Sequence, residues 1–256
     1  MGVKVEALIL AGGQAKIPGY EMEEALIPLA GQPMIEYVLQ AVQGAAGVGR
    51  VCLVGPESLR SLYRDREGLI LAPAGNDVLE SLANGLQALA PREWMLVVTG
   101  DIPMVTSVMI EDFLARCQEK PADFYYAILR RETNEARFPG TRRTYIRLKE
   151  GVVCGGNLFL VRPEVVAEAC RRGAAIIALR KNPLGLARLI GLGFILRLLF
   201  HRLSLVEAEA RFSHVLGLRG VTVISPYAEV GVDVDKPEDL ALAEAALKRQ
   251  RSEVGG

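Results

Sequence analysis

The segment Glu6-Ala7-Leu8-Ile9-Leu10-Ala11-Gly12-Gly13 decides the fold class of this 256-residue chain. A run of apolar residues leads directly into two adjacent glycines. Such a run is typical of a strand buried on both faces of a parallel sheet. Glycine allows the loop that follows to approach a ligand closely, although two glycines also suit a plain turn. The segment therefore predicts a buried strand followed by a candidate ligand-binding loop at Gly12-Gly13.

Strand and helix signals alternate through the first half of the chain. The predicted strands are Ala7–Leu10, Val51–Val54, Leu69–Leu71 and Met95–Val98. The predicted helices are Met34–Val42, Leu59–Tyr63 and Val78–Leu89. This alternation predicts an α/β fold with a parallel sheet covered on both faces. Ligands of such sheets bind at the carboxyl ends of the strands, where the first glycine-rich loop lies.

The second half has longer strand signals and then a helical stretch. Strands are predicted at Phe124–Leu129, Thr144–Leu148, Asn157–Val161 and Val221–Ile224, with a flexible loop at Glu132–Arg143. Ser204 and Glu207 form a capping-box pattern before Ala208–Leu216, and Gly217 is a typical helix stop. We predict one domain, 1–256, with a C-terminal helical insertion at about 174–218.

The composition excludes several classes of protein. Thirty basic and thirty acidic residues give a formal net charge of zero, so no global charge favours nucleic acid. The four cysteines have no Cys-x-x-Cys spacing, which favours reduced thiols over zinc or disulfides. The first apolar run is short and contains Glu6, so no signal peptide is expected. These features predict a cytoplasmic protein.

The predicted insertion is apolar and contains regularly placed basic residues. Its longest uncharged run, Leu189–Leu196, is too short for a transmembrane helix, which needs roughly 18 apolar residues. A buried helix pair or a homo-oligomer contact is the favoured interpretation. A peripheral helix lying on a membrane surface or against a lipid phosphate is the alternative. The basic residues are Arg180, Lys181, Arg188, Arg197 and Arg202.

Three aspartates are candidate ligands for a metal ion. Asp101 follows the strand that ends in Gly100, and a carboxylate there suits Mg²⁺ arriving with a triphosphate. Asp235 is the favoured second ligand, followed by Asp233. The alternative is that Asp235 or Lys236 simply occupies the N-cap of the helix that opens at Pro237.

A second pair of glycines, Gly155-Gly156, precedes Asn157. This turn suits close approach to an acceptor molecule or its phosphate. A β-bulge or a turn explains the same spacing equally well. The sequence predicts that the three residues end a loop and open a strand.

Taken in order along the chain, these motifs resemble the MobA-like NTP transferases. The resemblance covers Leu8–Gly13, Ala25–Val38, Asp101, Gly155–Asn157 and Asp235–Leu240. It implies a Rossmann-like three-layer α/β/α sandwich with a mixed, mostly parallel sheet. It also implies attack of an acceptor phosphate on the α-phosphorus of an NTP, with release of pyrophosphate and Mg²⁺ as the cofactor.

The resemblance also implies roles for individual residues. Leu10, Ala11, Gly12 and Gly13 would line the base and the phosphates. Asp101 and Asp235 would hold Mg²⁺, with Asp233 as a further candidate ligand. Gly155, Gly156 and Asn157 would face the acceptor.

A further nucleotide-binding candidate is the start of a predicted helix. The Ser-Leu-Ala-Asn-Gly-Leu sequence that begins at Ser81, after Asn76, resembles a base-contacting helix start of cytidylyltransferases. Val78 occupies the position of an expected arginine. A simple capped helix explains the same pattern at least as well.

Two catalytic cations of the resembled family are replaced. Ile17 stands where an arginine is usual, and Glu24 stands where a lysine is usual. Lys16 is one position short of the arginine and is our candidate catalytic substitute. Cations from Arg142, Arg143 or Lys149, or an unusual donor or acceptor, are alternatives.

These replacements keep two other functions open. One is a nucleotide-binding regulatory protein that has lost turnover. The other is a glycosyltransferase of the same fold that uses a ready-made nucleotide sugar.

Overall fold

The computed structural model describes residues 5–179 and 189–254. Its main element is a sheet with the strand order β10-β7-β9-β6-β1-β4-β5, in which β8 pairs with β9. β9 is antiparallel to β6, β7 and β8, whereas the β1–β4, β1–β6, β4–β5 and β7–β10 pairs are parallel. The expected mixed, mostly parallel α/β sheet is confirmed. The strands are β1 Val5–Leu10, β2 Pro28–Leu29, β3 Gln32–Pro33, β4 Val48–Gly55, β5 Leu69–Pro73, β6 Met95–Thr99, β7 Phe124–Arg130, β8 Ile146–Leu148, β9 Gly151–Val161 and β10 Gly220–Ser225.

Helices cover both faces of this sheet because the central strand is apolar on both sides. Alternate residues of a strand point to opposite faces. Ile9 of β1 packs in the core beneath the helices Met34–Gly44 and Ser107–Cys117, whereas Leu8 packs in the core beneath the helix Val78–Leu89. Both side chains are fully buried. The helices described are α1 Met34–Gly44, α2 Glu57–Leu62, α3 Val78–Leu89, α4 Ser107–Cys117, α5 Arg131–Arg137, α6 Pro163–Leu179, α7 Leu192–Leu199, α8 Leu205–Leu216 and α9 Pro237–Val254.

The expected loop at Glu132–Arg143 is wrong in its first part, because α5 occupies Arg131–Arg137. Asn134 of this helix is 1% exposed. Its Nδ2 donates hydrogen bonds to Thr141 Oγ1 at 2.8 Å and to Tyr145 Oη at 3.0 Å. These bonds tie the helix to the segment that follows it.

Helix α8, in the predicted insertion, begins with the capping box that the sequence predicts. Glu207 N donates to Ser204 Oγ, Ser204 N donates to Glu207 Oε2 at 2.8 Å, and Gly217 ends α8 with a φ of 71°. The expected start near residue 174 falls inside α6. Residues 180–188, with three of the basic residues named above, lie outside the described residues. Within the described ranges, no helix is long and apolar enough to cross a membrane.

Candidate functional site

A cavity of about 330 Å³ opens at the carboxyl ends of β1, β5 and β6. All six residues that the sequence proposes for nucleotide binding lie in its wall, together with Asp101 and Glu24. Parallel strands bring these distant segments to one edge of the sheet. The six residues are Leu10, Ala11, Gly12, Gly13, Asn76 and Ser81.

The loop after β1 passes close to two other segments at its glycines. A Cβ atom at Gly12 would lie 3.0 Å from Ala74 Cβ, and one at Gly13 would lie 2.5 Å from Glu24 Oε2. Glu24 N donates to Gly13 O at 3.1 Å, so the two segments pack directly against each other. The loop therefore brings bare backbone to the cavity, as the sequence predicts.

The start of α3 forms another wall, and its polar side chains are engaged with one another. Asp77 caps the helix by accepting from Glu80 N at 2.8 Å. Asn76 Nδ2 donates to Glu80 Oε2 at 2.8 Å. Ser81 Oγ accepts from Gly75 N and donates to Asp77 O, both at 2.9 Å. Asn76 and Ser81 thus lie at the cavity while they also stabilise the capped helix.

Asp101 lies at the carboxyl end of β6, where its carboxylate accepts from Thr99 Oγ1 at 2.5 Å. Burial, opposed by that hydrogen bond, raises the pKa of Asp101 to about 6, and the charges of Asp233 and Asp235 contribute to the rise. Val234 N donates to Asp101 O at 2.9 Å. This bond fixes the C-terminal segment beside the end of β6.

The other two aspartates of this site are each paired with a cation. Lys16 Nζ lies 3.1 Å from Asp235 Oδ1, and Arg143 Nη1 is paired with Asp233 Oδ1. The bond with Asp235 raises the pKa of Lys16. Burial favours neutral Asp235, but Lys16 outweighs this and the pKa of Asp235 lies below its ordinary value.

At the start of α9, a different aspartate, Asp239, accepts the hydrogen bond from the backbone. Asp235 N donates to Asp239 Oδ2 at 3.4 Å. The side chain of Asp235 is thus left for its pair with Lys16.

Glu24 is the residue of this site whose burial the sequence did not predict. Its side chain lies in the cavity wall, and the residue is 9% exposed. Its Oε1 atom is buried and has no hydrogen-bond partner among the described residues. Burial and the nearby carboxylates, Asp101 first, raise the pKa of Glu24 to about 7. A glutamate at the position of an expected lysine was the available sequence signal, but it gave no indication of burial.

Ile17 explains how Lys16 reaches the site. Ile17 is 4% exposed and packs in a core that also contains Ile27 and Phe138. Its burial leaves the preceding Lys16 side chain 73% exposed, beside Asp235. The loop therefore presents a cation one residue before the position where the resembled family has one.

Of the three alternative cations, Arg143 lies at this site. Its side chain is 14% exposed, and its Nε and Nη2 atoms are buried without a hydrogen-bond partner in the described part of the chain. Lys149 is instead paired with Glu207 of α8 at 3.7 Å. Arg142 is exposed and lines a separate cleft with Lys236.

The expectation that Gly155–Asn157 opens a strand is wrong, because all three residues lie inside β9. The β7–β9 register is irregular here: Tyr126 pairs with Phe159, but Ile128 pairs with Gly155. The irregularity agrees with the β-bulge interpretation. A Cβ at Gly155 would collide with the Tyr126 hydroxyl, and Asn157 Nδ2 donates to Val230 O at 3.3 Å.

The carboxylates fit a magnesium ion that arrives with a nucleotide. Mg²⁺ keeps waters and phosphate oxygens as ligands and needs only one or two carboxylates. The crowding that raises the pKa of Asp101 would be relieved by a cation. No group of three or more His, Cys, Asp or Glu side chains arranged to hold a metal was found in residues 5–179 and 189–254.

Comparison with known proteins agrees with the resemblance. Residues 7–190 match the model of a family described as the MobA-like NTP transferase domain. A 2-C-methyl-D-erythritol 4-phosphate cytidylyltransferase from Nitrosomonas eutropha is 33% identical over 124 residues, which are 44% of this chain and 53% of that protein. The corresponding protein from Geobacillus thermodenitrificans is 36% identical over 107 residues, or 39% and 47% of the two chains. The chain thus spans about half the length of these curated relatives.

Solved structures extend the similarity over nearly the whole chain. A hypothetical transferase from Thermus thermophilus is 39% identical, with a TM-score of 0.79 over 93% of this chain and 100% of that one. A CMP:2-keto-3-deoxy-manno-octonic acid synthetase complexed with CTP is 14% identical, with a TM-score of 0.65 over 97% and 100% of the two chains. At that identity the second match shows the fold alone.

Proposed function

Because the chain belongs to the MobA-like NTP transferase family, we propose that it transfers an NMP group from an NTP to a small phosphorylated acceptor, with release of pyrophosphate. The observation that carries the proposal is the cavity that combines the Gly12-Gly13 loop with Asp101. Residues 233–235 lie against its edge through the Val234–Asp101 bond. Glycine backbone and carboxylates at a strand edge are what a metal-bound triphosphate requires.

In this proposal the donor lies over the loop from Leu10 to Gly13 and against the start of α3. Asp101 and Asp235 would hold Mg²⁺, with Asp233 as a further ligand. The ion would neutralise phosphate charge and orient the α-phosphate. With Asp235 as a ligand of the ion, the Lys16 side chain now paired with it would be available to the phosphates. The exposed lysine would then take the role of the missing family cations.

The acceptor phosphate is proposed to bind at Arg143. Buried N–H groups without partners are costly, and an arginine fork matches a phosphate in shape and charge. Arg143 has two such nitrogens, Nε and Nη2, and its third nitrogen, Nη1, is already paired with Asp233. Gly155, Gly156 and Asn157 are proposed to lie near the same acceptor, although Asn157 also anchors the segment at Val230.

Glu24 favours one second candidate, a nucleotide-binding protein without turnover. A carboxylate beside the glycine loop repels phosphates when it is ionised. Its pKa of about 7 leaves it largely neutral below that pH, and a neutral carboxyl group donates a hydrogen bond. Binding is thus compatible with Glu24, but the lysine charge that would assist transfer is absent.

Thermal unfolding with ATP, GTP, CTP or UTP, each with and without Mg²⁺, tests the donor site. A ligand bound only by the folded protein raises the midpoint by mass action. We expect a Mg²⁺-dependent shift for one NTP that is lost in Asp101→Asn. Asp112→Asn, which alters an aspartate paired with Arg116 on α4, is the matched control. No shift with any NTP would refute the donor assignment.

Pyrophosphate release then separates the two candidates. The NTP that shifts the midpoint is incubated with Mg²⁺ and a set of phosphorylated polyols and sugars. CTP is the expected donor, because the curated relatives are cytidylyltransferases. Acceptor-dependent release supports the transferase. Binding of the NTP without release with any of them supports the binding protein.

A further inference from the structure

A second cavity, distinct from the nucleotide cavity, lies between the sheet and the helical insertion. It measures about 310 Å³, is open to solvent on part of its surface, and is lined by β7, β8, β9 and β10 on one side and by α7 and α8 on the other. Its wall is almost entirely apolar. Representative residues are Phe124, Ile128, Leu148, Phe194 and Phe212.

Three polar side chains in this wall, Glu209, Ser213 and Thr222, are bonded within the protein. Glu209 Oε1 accepts from Thr222 N at 2.7 Å and from Thr222 Oγ1 at 2.6 Å. Ser213 Oγ accepts from Gly220 N at 2.9 Å. A molecule in the cavity therefore meets hydrocarbon and needs no polar atoms of its own there.

The helices over the cavity leave it unfilled. No residue of α7 or α8 is buried, although Phe194 and Phe212 meet edge to face with their centroids 6.2 Å apart. Protein interiors are normally packed without voids of this size. An apolar cavity of about 150 Å³ stays dry and is large enough to bind benzene. This cavity is roughly twice as large, within the range typical of ligand sites.

A cationic cleft of about 480 Å³ adjoins the apolar cavity and shares Phe194 and Leu203 with it. Arg197, Arg211 and Glu207 lie in its wall, so two arginines face one glutamate. The Glu207 carboxylate is also shared with Lys149, which leaves positive charge in excess. Arg211 Nε is buried and has no hydrogen-bond partner among the described residues.

The outer surface beside this cleft is apolar. Leu192, Leu199, Phe200 and Val206 are between 64% and 70% exposed. Apolar side chains next to arginines are typical of helices that meet lipid. The described part of the insertion, α7 and α8, thus combines an apolar inner face, a cationic rim and an apolar exterior.

We propose that this insertion binds a single-chain lipid phosphate, with its hydrocarbon chain in the apolar cavity and its phosphate in the cleft at Arg197 and Arg211. The volume admits one chain, and the excess positive charge complements an anionic head group. The proposal is independent of the nucleotide site. Its ligand enters a cavity that shares no wall residue with the one holding Asp101.

The test measures binding of dodecyl phosphate by calorimetry, below its micelle concentration. Dodecanol and inorganic phosphate are the comparison probes, since each carries half of the proposed ligand. Saturable binding of one dodecyl phosphate, at least tenfold tighter than either probe, supports the proposal. Equal binding of inorganic phosphate, equal binding of dodecanol or no binding of dodecyl phosphate would overturn it.

Two variants separate the chain site from the head-group site. Ala208 lines the cavity, so Ala208→Trp fills it and should weaken dodecyl phosphate binding at least tenfold. Ala115→Trp, on an exposed position of α4, is the matched control and should bind as the wild type does. Arg211→Gln should reduce the preference for dodecyl phosphate over dodecanol while dodecanol binding is retained.

Measurements of size and stability complete this test. Unchanged unfolding midpoints for the variants show that they fold. If Ala208→Trp leaves binding intact, the chain does not enter the cavity and the proposal fails. If dodecyl phosphate does not bind and the wild type is a dimer that Ala208→Trp dissociates, the apolar surface belongs to a second copy.

Discussion

Replacing Glu24 with glutamine should stabilise the protein above pH 7 and leave its stability nearly unchanged at pH 4.5. The glutamate is 9% exposed, and its pKa is raised from 4.5 to about 7, chiefly by burial. One pKa unit corresponds to roughly 1.4 kcal/mol. Ionising this carboxyl above pH 7 therefore costs the folded state about 3 kcal/mol, at the order-of-magnitude level.

The sign follows from the proton balance. Between pH 4.5 and 7 the folded protein retains a proton on Glu24 that the unfolded chain releases. The free energy of unfolding of the wild type therefore falls as the pH rises through this window and levels off above it. Glutamine has the same shape and does not ionise, so Glu24→Gln escapes this loss. Asp101, with a pKa of about 6, titrates in both proteins and largely cancels in the difference.

Urea unfolding at pH 4.5, 6, 7 and 8 measures this effect. The midpoint difference between Glu24→Gln and the wild type should grow with pH and reach its full value near pH 8. Glu21→Gln alters a nearby exposed glutamate and serves as the control. A difference that is constant with pH, or a variant less stable than the wild type at pH 8, would refute the assignment of Glu24 as a buried carboxyl.

Three further predictions concern the core, α5 and the acceptor site. Gly85→Ala places a Cβ against the buried side chain of Leu8, so urea unfolding should show a loss of about 1–3 kcal/mol from overpacking; no loss would mean that α3 is more loosely packed than described. Asn134→Ala removes the bonds to Thr141 and Tyr145 and should lower the free energy of unfolding by about 1–3 kcal/mol, with faster proteolysis of this segment. Arg143→Gln should raise the acceptor KM in the pyrophosphate assay about tenfold or more, since a charge-assisted bond contributes about 1.5–3 kcal/mol, whereas the exposed neighbour substitution Arg142→Gln should not.

The sequence predicts best those features that depend on short-range pattern. The run at Leu8–Leu10 indicates burial on both faces, and the structure places Leu8 and Ile9 in separate cores on opposite faces of the sheet. The convergence of Asp101 with residues 233–235 also follows from pattern, because both segments come after strands whose carboxyl ends share one edge. The capping box at Ser204 is local chemistry and needs no tertiary information.

Features that depend on long-range packing were not predictable in the same way. Glu24 is buried where its segment packs against the loop after β1, with Glu24 N donating to Gly13 O. Its raised pKa also depends on carboxylates far along the chain, Asp101 first. The position of Gly155 inside β9 depends on the register with β7, which a glycine-rich segment specifies weakly. Helix α5 is short, and the buried Asn134 bonds it to the segment that follows. Asparagine is also common in loops and turns, so the local sequence did not distinguish this helix from a loop.

The charge balance of the site gives Glu24 and the metal a common role. Four acidic side chains, Glu24, Asp101, Asp233 and Asp235, meet two cations, Lys16 and Arg143, so the fully ionised set has a charge of −2. A free triphosphate would be repelled by this set, whereas a divalent ion neutralises it. Protonation of Glu24 reduces the charge to −1 and removes the carboxylate nearest the glycine loop.

We therefore expect NTP binding to require Mg²⁺ and to weaken as the pH rises through 7. A protein with lysine at position 24 would not impose that pH dependence. The substitution that departs most from the family thus makes donor binding depend on both the metal and the proton.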